Sequence, residues 1–156
     1  MIDMFYYNWQ VRDDWFHWCE NLSTEELAKK RIGGMGSILK TLFHVIDGEQ
    51  LWINQMNNTP VIQKNIDTIL TLQDVKDFSH STKSVVENFI LSWEKEKEER
   101  LLHITKKDGT VLSFTYGKII RHLISHEIHH IGQLSIWARE LDRKPVNSDL
   151  IIRNYI

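Results

Sequence analysis

The chain has 156 residues, 42% of them apolar and 26% charged, a length and composition that fit one compact domain able to bury its core without disulfide staples. Nineteen Lys and Arg against 21 Asp and Glu give a net charge of -2, which offers no field for capturing nucleic acid, and the single Cys19 excludes an intramolecular disulfide. No window approaches the roughly 20 apolar residues of a membrane span, and no basic stretch followed by an apolar one opens the chain, so we expect a cytoplasmic protein with residues 1–156 in a single domain and neither nucleic-acid nor membrane partners.

Only Pro60 and Pro145 interrupt the chain, and the seven glycines fall mostly near element ends, the punctuation of an all-α protein. A first amphipathic helix is expected from about Met4 to Glu20, with Phe5, Trp9 and Phe16 inward. Ser23 and Glu26 then fit a capping box at the start of a short helix, which Gly33, Gly34 and Gly36 bring to an end. A second long helix is expected from about Ser37 to Met56, since Met35, Leu39, Leu42, Ile46 and Ile53 recur at three- and four-residue intervals. Residues 59–80 are mixed, and their Thr71-Leu-Gln-Asp74 stretch suits a turn or a short helix.

A third long helix is expected from about Ser81 to Leu102, its EKEKEER run forming a solvated face with i,i+4 pairs. Lys106-Lys-Asp-Gly109 signals a turn, and Val111–Thr115 reads as a short strand or a loop. The fourth long helix, from about Tyr116 to Leu141, stops short of Pro145. A last helical turn is expected within residues 149–156.

That fourth helix holds His122-Leu-Ile-Ser-His126-Glu127-Ile-His129-His130-Ile-Gly-Gln133, with a literal H-E-x-x-H at its centre. Four-residue spacing puts His126 and His130 one turn apart, within roughly 40° of each other on the helix wheel, where both rings can reach one metal ion. His122 and His129 fall roughly 40° and 60° to the other side, on the polar flank. Glu127 turns into the apolar arc and is the candidate catalytic residue, handling protons or orienting a ligand, with a core salt bridge as the plain alternative. The pair can equally be two core histidines bonded to facing side chains. A zinc protease would need a third ligand further along, and no histidine follows His130.

Taken with Leu42-Phe-His44-Val-Ile-Asp-Gly48-Glu49-Gln-Leu-Trp52 on the second long helix, this motif resembles the DinB family, and the likeness runs over nearly the whole chain. The resemblance implies a four-helix bundle with short additional helices, in which His44, His126 and His130 bind a divalent metal, zinc or nickel. It also implies a homodimer acting on a small-molecule substrate. Relatives with an assigned activity resemble transferases of low-molecular-weight thiols such as bacillithiol or mycothiol.

Periodicity alone does not lead to His44, which lies roughly 200° from the Leu42 stripe beside Gly48 and Leu51. Glu49, within that stripe, suits either a ligand contact or an inward Arg, and Gln133 either a ligand contact or a loop cap. Trp52 and Trp137 suit a pocket wall or simple packing. Three neutral histidines leave a metal with an open position, the pattern of a catalytic site. The expectation is therefore a metal-dependent thiol transferase, with a metal-dependent hydrolase or a non-catalytic metal-binding stress protein as the alternatives.

Overall fold

Asp3–Cys19 form helix α1 in the computed structural model, which describes residues 1–154. Its buried face carries Phe5, Val11, Trp15 and Phe16 but also Asn8 and Arg12, which explains the untidy periodicity. The short helix α2, Thr24–Ala28, starts where Ser23 accepts a hydrogen bond from the Glu26 backbone N–H at 3.2 Å. The reciprocal half of the expected capping box is not made, because the Glu26 carboxylate pairs with Arg31. Three glycines with positive φ, Gly33, Gly34 and Gly36, then turn the chain into α3, Ile38–Asn57, capped by Ser37. Asn58 ends α3 in the left-handed conformation that asparagine tolerates there.

Helix α4 spans Leu72–Leu91, not the expected 81–102. The shift has a local cause at each end. Thr71 accepts from the Asp74 N–H while Asp74 accepts from the Thr71 N–H, a complete capping box that starts the helix at Leu72. At the other end Leu101–Thr105 is drawn into an antiparallel hairpin as strand β1, pairing in register with β2, Val111–Thr115. The turn between them places Gly109 at φ +84°, which suits glycine. The EKEKEER run is solvated as expected, but it lies in a single 3-10 turn and a loop instead of a helix.

Helix α5, Tyr116–Glu140, follows β2 directly, with Thr115 as its cap, close to the expected limits. Beyond it the chain runs back along α1: Tyr7 Oη donates to the Ser148 carbonyl at 2.7 Å and Trp18 Nε1 to that of Lys144 at 2.9 Å. The final turn is a 3-10 turn at Leu150–Ile152, and residues 155 and 156 lie outside the described residues. The fold is therefore helix-dominated with one hairpin, where an all-α chain was expected. Among the described residues no helix is long and apolar enough to cross a membrane.

Helices α1, α3, α4 and α5 pack on one another around two apolar clusters. One gathers Trp15, Leu39, Phe43, Phe78, Leu134 and Trp137; the other gathers Phe5, Ile53, Phe89, Ile90, Ile120 and Leu123. Along α3 the clusters leave a gap between Ile46 and Ile53, and along α5 a gap between Ile124 and Ile131. These two gaps carry the polar residues that matter most.

Candidate metal centre

Helix α3 packs against α4 on one side and α5 on the other, so it has two inward faces. The Leu42 stripe fills the apolar core, and the second face turns His44 toward α5. That double packing is why His44 lies off the main periodicity and still points inward. On α5 the four-residue spacing stacks His126 above His130.

The three rings meet at their Nε2 atoms. His126 Nε2 is 3.0 Å from His44 Nε2 and 3.2 Å from His130 Nε2. Each residue offers a ligand atom, all within 4.8 Å of one another. The structure thus brings together the three histidines that the resemblance implied. His122 and His129 stay outside this set and exposed, in line with their place on the polar flank, although the His122 ring lies 5.5 Å from that of His126.

Charge and tautomer are arranged around this point. Burial, then the neighbouring imidazoles, push His126 down to about 4. Burial and His130 lower His44; burial and His129 lower His130, against the opposing pull of Gln133. Gln133 Oε1 lies 2.7 Å from His130 Nδ1, and its Nε2 lies 3.0 Å from His129 Nε2. A carbonyl oxygen can only accept, so His130 carries its proton on Nδ1 and aims the Nε2 lone pair at the other two rings. The i,i+3 spacing of His130 and Gln133 on a helix is the signal from which this bond could have been read.

Glu127 lies elsewhere. Its two carboxylate oxygens accept from Arg12 Nε at 2.8 Å and Nη2 at 2.6 Å, and among the described residues no histidine ring hydrogen-bonds to it. Arg12 also bonds both oxygens of Glu49, at 3.2 and 3.0 Å, and Trp9 Nε1 donates to Glu49 at 3.1 Å. Arg12, Glu49 and Glu127 are only 5%, 6% and 3% exposed, so this is a buried ion network joining α1, α3 and α5. One guanidinium faces two carboxylates: burial pushes Glu127 upward against the pull of Arg12, and Glu49 adds to the rise. Arg12 escaped the sequence reading, although it stands seven residues after Phe5 and so shares its helix face.

A cleft of about 250 Å³ opens beside the histidines, with His44, His126, Gly48, Leu51, Trp52 and His122 in its wall. A Cβ at Gly48 would stand 3.5 Å from His126 Cε1, so the missing side chain leaves room next to that ring. Trp52 lines the cleft, whereas Trp137 is buried and donates to the Ile32 carbonyl at 3.2 Å. Cys19 takes no part: it is buried, and burial pushes its thiol up to about 12.

Helix-dominated architecture and three histidines converging from two helices define a protein with the donor set of a metal centre. The sequence model of the DinB family matches residues 1–155, and the chain belongs to that family. It is also similar to a Bacillus subtilis (strain 168) protein named "Uncharacterized protein YizA", with 42% identity over 153 residues, covering 98% of this chain and 95% of the relative.

Proposed function

We propose that this chain is a metal-dependent enzyme that transfers a low-molecular-weight thiol, such as bacillithiol, to a small electrophilic molecule. In this reading it is a cytoplasmic homodimer whose four long helices form a four-helix bundle. His44, His126 and His130 are the ligands, and zinc or nickel is the ion. The observation that carries the reading is the meeting of three Nε2 atoms 3.0 and 3.2 Å apart. Protons satisfy such a cluster poorly, because His130 already spends its one neutral-state proton on Gln133. A divalent cation satisfies all three lone pairs at once, and the donor set fits it.

When bound, the ion supplies Lewis acidity that lowers the pKa of a thiol beside it. The chain's own residues do the rest. Gln133 holds the His130 tautomer, Gly48 leaves space next to His126, and the cleft gives a substrate room beside His44 and His126. In the transfer itself a sulfur–carbon bond forms, the leaving group departs with the electrons of its bond to carbon, and the thiol proton passes to solvent. Glu127 is here a positioning residue that acts through Arg12, which ties both ligand-bearing helices to α1.

The test is elemental analysis of untagged protein alongside His44→Ala, His126→Ala and His130→Ala, followed by a coupling assay with bacillithiol and an alkylating fluorophore. We expect near-stoichiometric metal in the wild type, lost from all three variants, and coupling that disappears on chelation and returns on reloading. A wild type that neither carries nor takes up zinc or nickel overturns the metal reading. Metal bound without coupling to any thiol overturns the transferase and leaves a metal-binding protein.

A further inference from the structure

The cleft at the histidines does not end there. It shares Trp52 and His122 with a second hollow of about 190 Å³, walled by Phe114 and Ile119 and edged by Lys118. Ring-to-ring steps mark the course: His126 to His122 is 5.5 Å, His122 to Trp52 6.3 Å, and Trp52 to Phe114 6.0 Å. The Lys118 ammonium closes the row 5.8 Å from the Phe114 ring.

Helix geometry winds this row gradually round α5, by about 40° at each four-residue step. Lys118, His122, His126 and His130 follow at four-residue intervals on α5, so Lys118 lies about 12 Å along the helix axis from His126. The hairpin supplies the opposite wall by holding Phe114 over Trp52. Lys118 has no carboxylate partner among the described residues; the nearby Glu98 pairs with Arg121. A half-buried aromatic floor, with an unpaired cation at its far end and the His44 and His126 rings at its near end, has a definite polarity.

We infer that this trough takes a small molecule with an apolar, preferably aromatic body and a terminal anion: its reacting end lies at the three histidines, its body on Trp52 and Phe114, and its anion against Lys118. The inference rests on the metal-site reading above and adds the substrate class. An apolar floor suits an aryl acid far better than a hydroxyl-rich molecule, whose polar groups would lose water there without a partner. The fit concerns the acceptor side of the transfer.

The test uses cobalt-loaded protein and two thiol probes, para-(mercaptomethyl)phenylpropanoate and benzyl mercaptan, read by calorimetry and by the visible spectrum of the cobalt. We expect the carboxylate probe to bind about fivefold more tightly, an exposed ion pair contributing about 1 kcal/mol. Lys118→Gln should abolish that preference without altering the affinity for benzyl mercaptan. Trp52→Leu should weaken both probes about tenfold, as loss of a stacking surface does.

Equal affinity for the two probes, or a preference unchanged in Lys118→Gln, overturns the inference while cobalt uptake leaves the metal site standing. Protein that takes up no cobalt overturns the metal reading instead. In that event phenylpropanoate on the metal-free protein decides the trough. A shift of the Trp52 indole N–H signal that weakens in Lys118→Gln supports it, and the absence of any shift overturns it.

Discussion

His126 and Glu127 are neighbours in the chain, yet the first meets His44 and His130 while the second meets Arg12. The same division recurs on α3, where His44 faces the histidine cluster and Glu49 faces Arg12. Two polar clusters, one of buried and half-buried histidines and one of buried ions, therefore sit on different sides of the same two helices. One is complete within the chain, because a guanidinium fork satisfies two carboxylates bidentately. The other gathers three imidazole nitrogens, a donor set that could hold a metal ion. A closed cluster stabilises geometry, and an open one binds.

The contrast breaks first, and by the largest margin, at Arg12. Arg12→Met strands two buried carboxylates and should cost about 3–5 kcal/mol in a urea titration. Replacing all three members, with Arg12→Met, Glu49→Leu and Glu127→Leu together, should recover most of that loss, since an apolar triad needs no partner. His126→Ala in chelated protein should stay within about 1 kcal/mol of wild type, because nothing is left uncompensated. If Arg12→Met is as mild as His126→Ala, the ion network is not the closed structural cluster described above.

Metal should bring the two clusters close to parity. Zinc or nickel at one hundred times its dissociation constant stabilises a folded-state site by about 2.7 kcal/mol, which for a chain of this size raises the melting temperature by roughly 5–10 °C. The increment should vanish in His44→Ala, His126→Ala and His130→Ala and persist in Lys118→Gln. It should also fall away on acidification, because protons compete with the ion for the same nitrogens. A metal-dependent rise that survives in His44→Ala would place the third ligand elsewhere.

Much of this is legible in the sequence because it is local. The four-residue spacing of His126 and His130 holds on any helix, and α1, α3 and α5 lie near the expected limits, with Ser37 and Thr115 capping the starts of the last two. The third helix is less legible. Its start depends on the capping box at Thr71 and Asp74, a short signal inside a mixed stretch, and its end on Leu101–Thr105, which takes its conformation from a partner strand further along the chain. Strand pairing is a non-local gain that overrides the helical preference of a charged run. His44 and Arg12 share that difficulty. Each is intelligible only once the neighbouring helix is in place, and for His44 the family resemblance carries what periodicity does not.

Gln133 joins the open cluster to the rest of the fold, and its removal sharpens the comparison at a smaller scale. Gln133→Leu frees the His130 ring to rotate and to exchange tautomers, and outer contacts of this kind are worth about 10–100-fold in metal affinity. Competition with a chromophoric chelator would measure it. The stability of the metal-free protein should hardly change, unlike that of Arg12→Met. A loss of stability with metal affinity intact would make Gln133 a packing residue and leave the His130 tautomer unguarded.

The smallest effect is expected one contact further out, at Gly34. Its φ is +50°, and a Cβ there would come 2.7 Å from Gln133 Oε1 and 3.0 Å from Trp137 Cη2. Gly34→Ala therefore has two separable consequences. The left-handed backbone costs about 1 kcal/mol in any background, whereas displacement of Gln133 weakens metal binding only while Gln133 is present. In the Gln133→Leu background Gly34→Ala should still lower stability yet leave metal affinity unchanged, a non-additivity that a double-mutant cycle detects. If the two substitutions instead multiply in metal affinity, the glycine loop acts on the histidines by some route other than Gln133.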